Sequence, residues 1–284
     1  MNTGELRLRP GRDVRLAELD TRATLGFEKK SDAKAQLVSD ETRLAELQDV
    51  LAAARTRAVL IVLQGMDSAG KDSTIKHVMS GVNPQGVDVY SFKAPNDVEV
   101  AHDFLWRCAR VVPEHGRIAI FNRSYYEEVV VVRVHEDMLA RESVTPEKNL
   151  WTERFEDINA FERHLTRSGT LVLKFFLHIS KDEQRKRLLA RLDDEDKNWK
   201  FSVNDIHERR YWDDYQVAYE RMLNATTTDW APWYVIPADR KWFVRAAVAS
   251  VIVEKLAVLG LQYPRLTGDA AAQIKEFRQQ LEAQ

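Results

Sequence analysis

The chain has 284 residues, 44% of them hydrophobic and 30% charged, and 42 Lys and Arg nearly balance 44 Asp and Glu for a formal net charge of -2. That length suits one large core with peripheral elaboration, and so small a charge excludes a protein that coats nucleic acid by bulk attraction; any polyanion site must come from local clusters of Lys and Arg. Cys108 is the only cysteine, which excludes an internal disulfide or a cysteine-built zinc site and fits a small core residue in a reducing compartment. The longest apolar runs, such as Ala58 to Leu63, fall far short of the roughly 20 residues a membrane span requires, and Met1 to Asp20 has no apolar centre. A cytoplasmic location is expected, without membrane or nucleic-acid partners.

In chain order, residues 1–30 read as an irregular arm. Ser31 to Arg57 reads as a helix with Ala33, Leu37, Leu44, Leu47 and Leu51 on one face. Strand-like runs follow at Ala58 to Gln64, Val87 to Phe92, Arg117 to Asn122, Thr170 to Ile179 and Trp233 to Pro237. Helical stretches lie between and after them: Lys71 to Ser80, Val98 to Val112, Pro146 to Ser168 (capped by Thr145 and stopped by Gly169), Asp182 to Leu192, Ile206 to Leu223 and Lys241 to Leu259. Such alternation predicts an α/β fold in which a five-stranded parallel sheet carries helices on both faces and binds ligands at the carboxyl ends of its strands. The main domain is expected over 31–265, followed by a helical tail at 266–284.

The first strand runs into Gly65-Met-Asp-Ser-Ala-Gly70-Lys71-Asp72-Ser73. Two glycines at tight turns, amides facing inward, a helix start and a lysine converge on one phosphate, and the strand-loop-helix context of a phosphate loop is met. Asp72 stands where Ser or Thr usually supplies a metal-bound hydroxyl, and Asp67 lies within the loop. A carboxylate aimed at phosphates is repelled unless a cation intervenes or it accepts a proton, so Asp67 is expected to hold Mg²⁺ or to orient and deprotonate the attacking oxygen. Ser73 and Thr74 are further hydroxyl candidates, and Asp72 fits equally well as a first-turn helix acid.

The third strand ends in Asn122-Arg123-Ser-Tyr-Tyr126-Glu127-Glu128. Asn122 can bind a metal through its carbonyl oxygen but brings no charge, and Arg123 beside it can fork two hydrogen bonds to phosphate. Glu127 and Glu128 suit a second metal, a nucleotide group or plain surface. Lys93 follows the second strand at the active edge. After the fourth strand, Ser180-Lys-Asp-Glu183 opens a helix carrying Arg187 and Arg191 on one face, and an acidic run then leads to Lys197-Asn-Trp-Lys200. Taken alone, such a charged helix is a solvated face; its position suggests a lid closing over phosphates.

Gly65-Met-Asp67-Ser-Ala69-Gly70-Lys71-Asp72, Phe121-Asn-Arg-Ser-Tyr-Tyr126, Asp182 through Arg187 and Arg191 to Lys200, and Arg210-Tyr-Trp-Asp-Asp-Tyr215 together resemble the second polyphosphate kinase family. The resemblance covers residues 30 to 260. It implies a thymidylate-kinase-like P-loop kinase fold of three layers with a helical lid at about 182–212. The implied activity is Mg²⁺-dependent (or Mn²⁺-dependent) reversible transfer of the terminal phosphate of inorganic polyphosphate to ADP or GDP, and to AMP or GMP, in a homo-oligomeric dimer or tetramer. By the same resemblance Asp67, Lys71 and Arg123 are catalytic. Gly65, Ala69, Gly70, Asp72, Ser73, Lys93, Arg187, Arg191, Lys197 and Lys200 hold phosphates, and Asn122, Tyr126, Glu127 and Glu128 hold the nucleotide. Asp67 and Asn122 are the implied metal ligands. Many relatives have Asp at the position of Asn122, and the change points to the subgroup that accepts both mono- and diphosphates. An ATP-dependent nucleoside or nucleotide kinase is the competing reading. A guanine-nucleotide switch is disfavoured, because no Asn-Lys-x-Asp segment occurs late in the chain.

Overall fold

The computed structural model describes residues 1–142, 144–196 and 203–284. Its strands are β1 (Ala58–Gln64), β2 (Val87–Ser91), β3 (Ile118–Asn122), β4 (Thr170–His178) and β5 (Trp233–Pro237). All pair in parallel, in the order β2-β3-β1-β4-β5. Every residue of β1 is buried, as expected of a central strand covered on both faces. Helix α1 (Lys30–Ala54) packs against α10 (Lys241–Val258), which also meets α2 (Lys71–Val78). A second group is formed by α5 (Glu127–Val134), α6 (Leu150–Arg167), which lies against β4, and α9 (Trp212–Thr226). The expected five-stranded parallel sheet with helices on both faces is the observed architecture.

Some boundaries differ from the expected ones, for local reasons. The stretch expected as one helix from Val98 to Val112 is two short helices, α3 (Asp97–Val100) and α4 (Trp106–Ala109). Between them Asp103 accepts from the Leu105 amide through its carboxylate and from the Trp106 amide through its carbonyl, a local bonding that competes with the helical ladder. The helix expected from Pro146 begins at Leu150, because Glu147 to Leu150 forms a separate turn. Ile206 to Leu223 is interrupted by a 3-10 turn at Arg209–Tyr211, which separates α8 (Val203–Glu208) from α9. Helix α5 was not expected at all: its Val129-Val-Val-Val132 run favours strands, and burial of that run decides the outcome.

Residues 1–30 do more than lead in. The Leu8 amide donates to the Trp233 carbonyl and the Val235 amide to the Leu6 carbonyl, both at 2.9 Å, and Arg7 bridges Tyr234 antiparallel. Leu6, Val14, Leu16 and Phe27 are buried. The arm therefore covers the free edge of β5, which would otherwise expose unpaired backbone groups. The remaining helices are α7 (Lys181–Leu192) and α11 (Asp269–Glu282). Among the described residues no helix is long and apolar enough to cross a membrane.

Under β4 the core holds a polar knot. Lys174 and Glu162, both fully buried, pair at 2.6 Å; Tyr125 and Tyr126 donate their hydroxyls to Glu162, and Lys174 also donates to the Tyr126 oxygen and the Thr226 carbonyl. Burial lowers the Lys174 ammonium from its usual range, against the pull of Glu162. With every partner present the buried charges are compensated.

Candidate active site

The carboxyl ends of β1 and β3 bring the loop and its partners together. Gly65 sits at φ +145°, and a Cβ there would lie 2.7 Å from the Leu177 carbonyl, so the residue must be glycine. Gly70, at φ +112°, caps α2. Lys71 is buried and donates to the Gly65 carbonyl at 2.6 Å and the Met66 carbonyl at 3.3 Å. Burial and then the neighbouring Arg123 lower its pKa to about 8, with Asp67, Glu127 and Asp72 opposing.

Arg123 follows β3 at φ +64°, outside the usual range for a residue with a side chain, and its amide donates to the Leu63 carbonyl. Its guanidinium donates to Asp67 and, at 2.9 Å, to Glu127. Glu127 raises its pKa above the usual range, against burial and with help from Asp67, so the cation is permanent. Asn122 donates its amide to Asp72 at 2.7 Å, which ties the end of β3 to the start of α2 and leaves the Asn122 side-chain oxygen as an acceptor. Asp67, Asp72, Lys71, Asn122, Arg123 and Glu127 thus form one cluster: two fixed cations and several oxygen donors around the loop.

Other expected site residues lie elsewhere. Tyr126 is fully buried, with its hydroxyl in the Lys174–Glu162 knot, and cannot line a nucleotide pocket. Glu128 is also buried: Arg107 donates to its carboxylate at 3.1 Å and Arg154 lies 3.9 Å from it. Burial and the nearby Glu142 raise its pKa to about 7, against both arginines. Ser73 accepts from Arg245 of α10, and the Thr74 hydroxyl donates back to the Gly70 carbonyl, which leaves each oxygen with lone-pair capacity. Lys93 is exposed at the rim of a cavity of about 570 Å³ beside β2, lined also by Phe92, Trp106 and Arg110. Arg187 and Arg191 reach the loop from α7: Arg187 donates to the Ser68 and Ala69 carbonyls, and Arg191 to the Ser68 hydroxyl and Asp205. Lys197 and Lys200 fall outside the described residues.

Two contributors escaped sequence reasoning. Gln184 donates to the Asp67 carbonyl at 3.0 Å and is in turn held by Arg209. Arg245 binds Ser73 from the otherwise apolar face of α10; a lone arginine amid Val244, Ala246, Ala247 and Val248 was the available signal.

Among the described residues no group of three or more His, Cys, Asp or Glu side chains could hold a metal ion by itself. The side-chain oxygens of Asp67, Asp72 and Asn122 at the loop are hard donors, the kind a divalent cation such as Mg²⁺ prefers.

Comparison with known proteins gives a consistent result. The family model for polyphosphate kinase 2 matches residues 27–263. An ADP-polyphosphate phosphotransferase of Rhodopseudomonas palustris is 47% identical over 285 residues, covering 99% of each chain. An AMP/ADP-polyphosphate phosphotransferase of Meiothermus ruber is 46% identical over 260 residues, covering 91% of this chain and 94% of that protein. The crystal structure of polyphosphate kinase 2 from Arthrobacter aurescens TC1 superimposes with a TM-score of 0.89 at 41% identity, over 98% of this chain and 97% of that one. With a glycine-built phosphate loop, Lys71 and Arg123 beside it and a family match spanning most of its length, the chain belongs to the polyphosphate kinase 2 family.

Proposed function

We propose that the chain moves the terminal phosphoryl group of inorganic polyphosphate onto a purine nucleotide, ADP or GDP and also AMP or GMP, reversibly and with Mg²⁺ as the divalent ion. The observation that carries this is the Asp67–Arg123–Glu127 arrangement beside Lys71 at the carboxyl end of the central strands. Relatives named for ADP and for AMP/ADP support the acceptor classes.

In the forward direction an oxygen of the acceptor's terminal phosphate forms a bond to the end phosphorus of polyphosphate. The bond from that phosphorus to the next bridging oxygen breaks, leaving a chain one phosphate shorter. The protein's part is positioning and charge compensation. Lys71, still protonated at neutral pH, and Arg123 place positive charge on the transferring group. Asp67 and Glu127 hold the Arg123 fork in one orientation, and Asn122 with Asp72 fixes the end of β3 against the loop. Asp67 and Asn122 would hold Mg²⁺, which when bound neutralises phosphate charge. Polyphosphate offers no base or ribose to grip, so its tail must be bound by cations along a groove, for which Lys93, Lys197 and Lys200 are our candidates. A cytoplasmic location and a homo-oligomeric dimer or tetramer belong to the same proposal.

Asp67→Asn tests the site. The variant should fold and lose transfer between polyphosphate and ADP. Turnover close to the parent's would remove Asp67 from the mechanism.

A further inference from the structure

Gln184, Arg187 and Arg191 are spaced three and four residues apart on α7, which places them on one helix face. Their partners are three consecutive residues of the phosphate loop. Gln184 holds the Asp67 carbonyl at 3.0 Å, Arg187 holds the carbonyls of Ser68 at 3.1 Å and Ala69 at 2.9 Å, and Arg191 holds the Ser68 hydroxyl at 2.9 Å.

The middle contact is of a different kind from a substrate contact. Besides the two loop carbonyls, Arg187 donates to the Ala238 carbonyl at 2.7 Å, the Asp239 carbonyl at 3.1 Å and the Glu183 carboxylate at 2.9 Å. A guanidinium has five N–H donors, and these five bonds use all of them. The side chain is 7% exposed. No donor is left for a phosphate oxygen, although Arg187 lies on a charged helix in the position expected of a polyphosphate contact.

What the clamp does follows from peptide geometry. In a trans peptide the carbonyl and the following N–H point in opposite directions, so holding the Ala69 carbonyl on Arg187 turns the Gly70 N–H away from α7. Ser68, whose carbonyl and hydroxyl are both held from α7, has φ +62°, a left-handed conformation that residues with a side chain rarely adopt. The same guanidinium ties this strained turn to the loop after β5 through Ala238 and Asp239. We propose that Arg187 is a positioning residue: it does not touch polyphosphate but fixes the peptide planes from Ser68 to Gly70, so that the loop amides face the transferring phosphate. Gln184 sets the Asp67 peptide in the same way.

The test is steady-state kinetics of ATP formation from polyphosphate and ADP for Arg187→Lys, which keeps the charge and loses the fork. If Arg187 positions the loop, kcat falls about 10²-fold, as misplacement by an ångström commonly produces, while KM for polyphosphate and its salt dependence stay at the parent's values. If Arg187 binds the chain directly, KM rises and kcat is largely kept; that result overturns the inference. Should Arg187→Lys fail to fold, Gln184→Ala leaves Arg187 in place and removes the bond to the Asp67 carbonyl together with the one Gln184 accepts from Arg209. It should lower kcat with KM unchanged, and parent-like kcat in that variant would overturn the inference. The inference rests on the proposed transfer reaction: an active parent with a KM-type Arg187 defect defeats this inference alone, and an inactive parent defeats both.

Discussion

Titration of Lys71 offers a test with two independent readouts. The ammonium is buried beneath the loop, and its pKa falls from the usual 10.5 to about 8, chiefly through burial and Arg123. With a value of about 8, about nine-tenths of the free enzyme carries the charge at pH 7 and about one-tenth at pH 9. Because kcat/KM reports the free enzyme, it should fall about tenfold for each pH step above 8. Lys71→Arg should lower the plateau but remove that limb, since a guanidinium stays charged throughout. Folding should respond in the opposite sense. The folded-state pKa lies below the unfolded one, so the unfolded chain binds more protons between pH 8 and 10.5, and this group's contribution to stability rises with pH across that window. The gap corresponds to about 3 kcal/mol of destabilisation while Lys71 is charged below pH 8, relieved as pH climbs towards 10.5. Urea unfolding of parent and Lys71→Met between pH 7 and 10 isolates that contribution as a difference. A basic limb that persists unshifted in Lys71→Arg, together with a pH-independent stability difference, would refute the reasoning.

Arg123→Lys keeps the charge but cannot bridge Asp67 and Glu127 in one plane; kcat should fall about 10²-fold or more in a coupled ATP assay, with the fold intact by circular dichroism. Gly65→Ala forces a Cβ to within 2.7 Å of the Leu177 carbonyl at φ +145°, and should cost about 2 kcal/mol or more in denaturant unfolding and abolish turnover. Lys174→Met strands the Glu162 carboxylate among the two tyrosine hydroxyls; a loss of about 3–5 kcal/mol is expected, and the double change Lys174→Met with Glu162→Leu should be less damaging than the single one. Thermal melts ranked the other way would show that the pair is not mutually compensated.

What could be read from the residues was what local chemistry determines. The five strands are contiguous apolar or β-branched runs bounded by polar turns, and the phosphate loop couples its glycines to a strand before and a helix after; both signals survive without tertiary context. Helix α5 was hidden because four successive valines favour strand until packing overrides them. The arm residues Leu6, Val14 and Leu16 follow no period, since they pack as irregular backbone, Leu6 along the edge of β5 and Val14 and Leu16 against Asn224 and Glu220 of α9. At the site, charge and position pointed to Asp67, Lys71, Asn122 and Arg123, which the fold brings together at the ends of β1 and β3. They did not reveal that Tyr126 and Glu128 are buried: Tyr126 precedes α5 with its hydroxyl in the Lys174–Glu162 knot, and Glu128, about 100° around the helix from Glu127, meets Arg107. Arg187 shows the same limit: a guanidinium on a charged helix face looks identical in sequence whether its donors serve a ligand or backbone carbonyls.

Incubation of the purified protein with ADP, long-chain polyphosphate and Mg²⁺, with no ATP added, tests the central claim most directly. The account predicts ATP accumulating with matching loss of polyphosphate, and no ATP when polyphosphate is omitted. Absence of ATP under these conditions, combined with phosphorylation of a nucleoside or nucleotide when ATP is the donor, would contradict it.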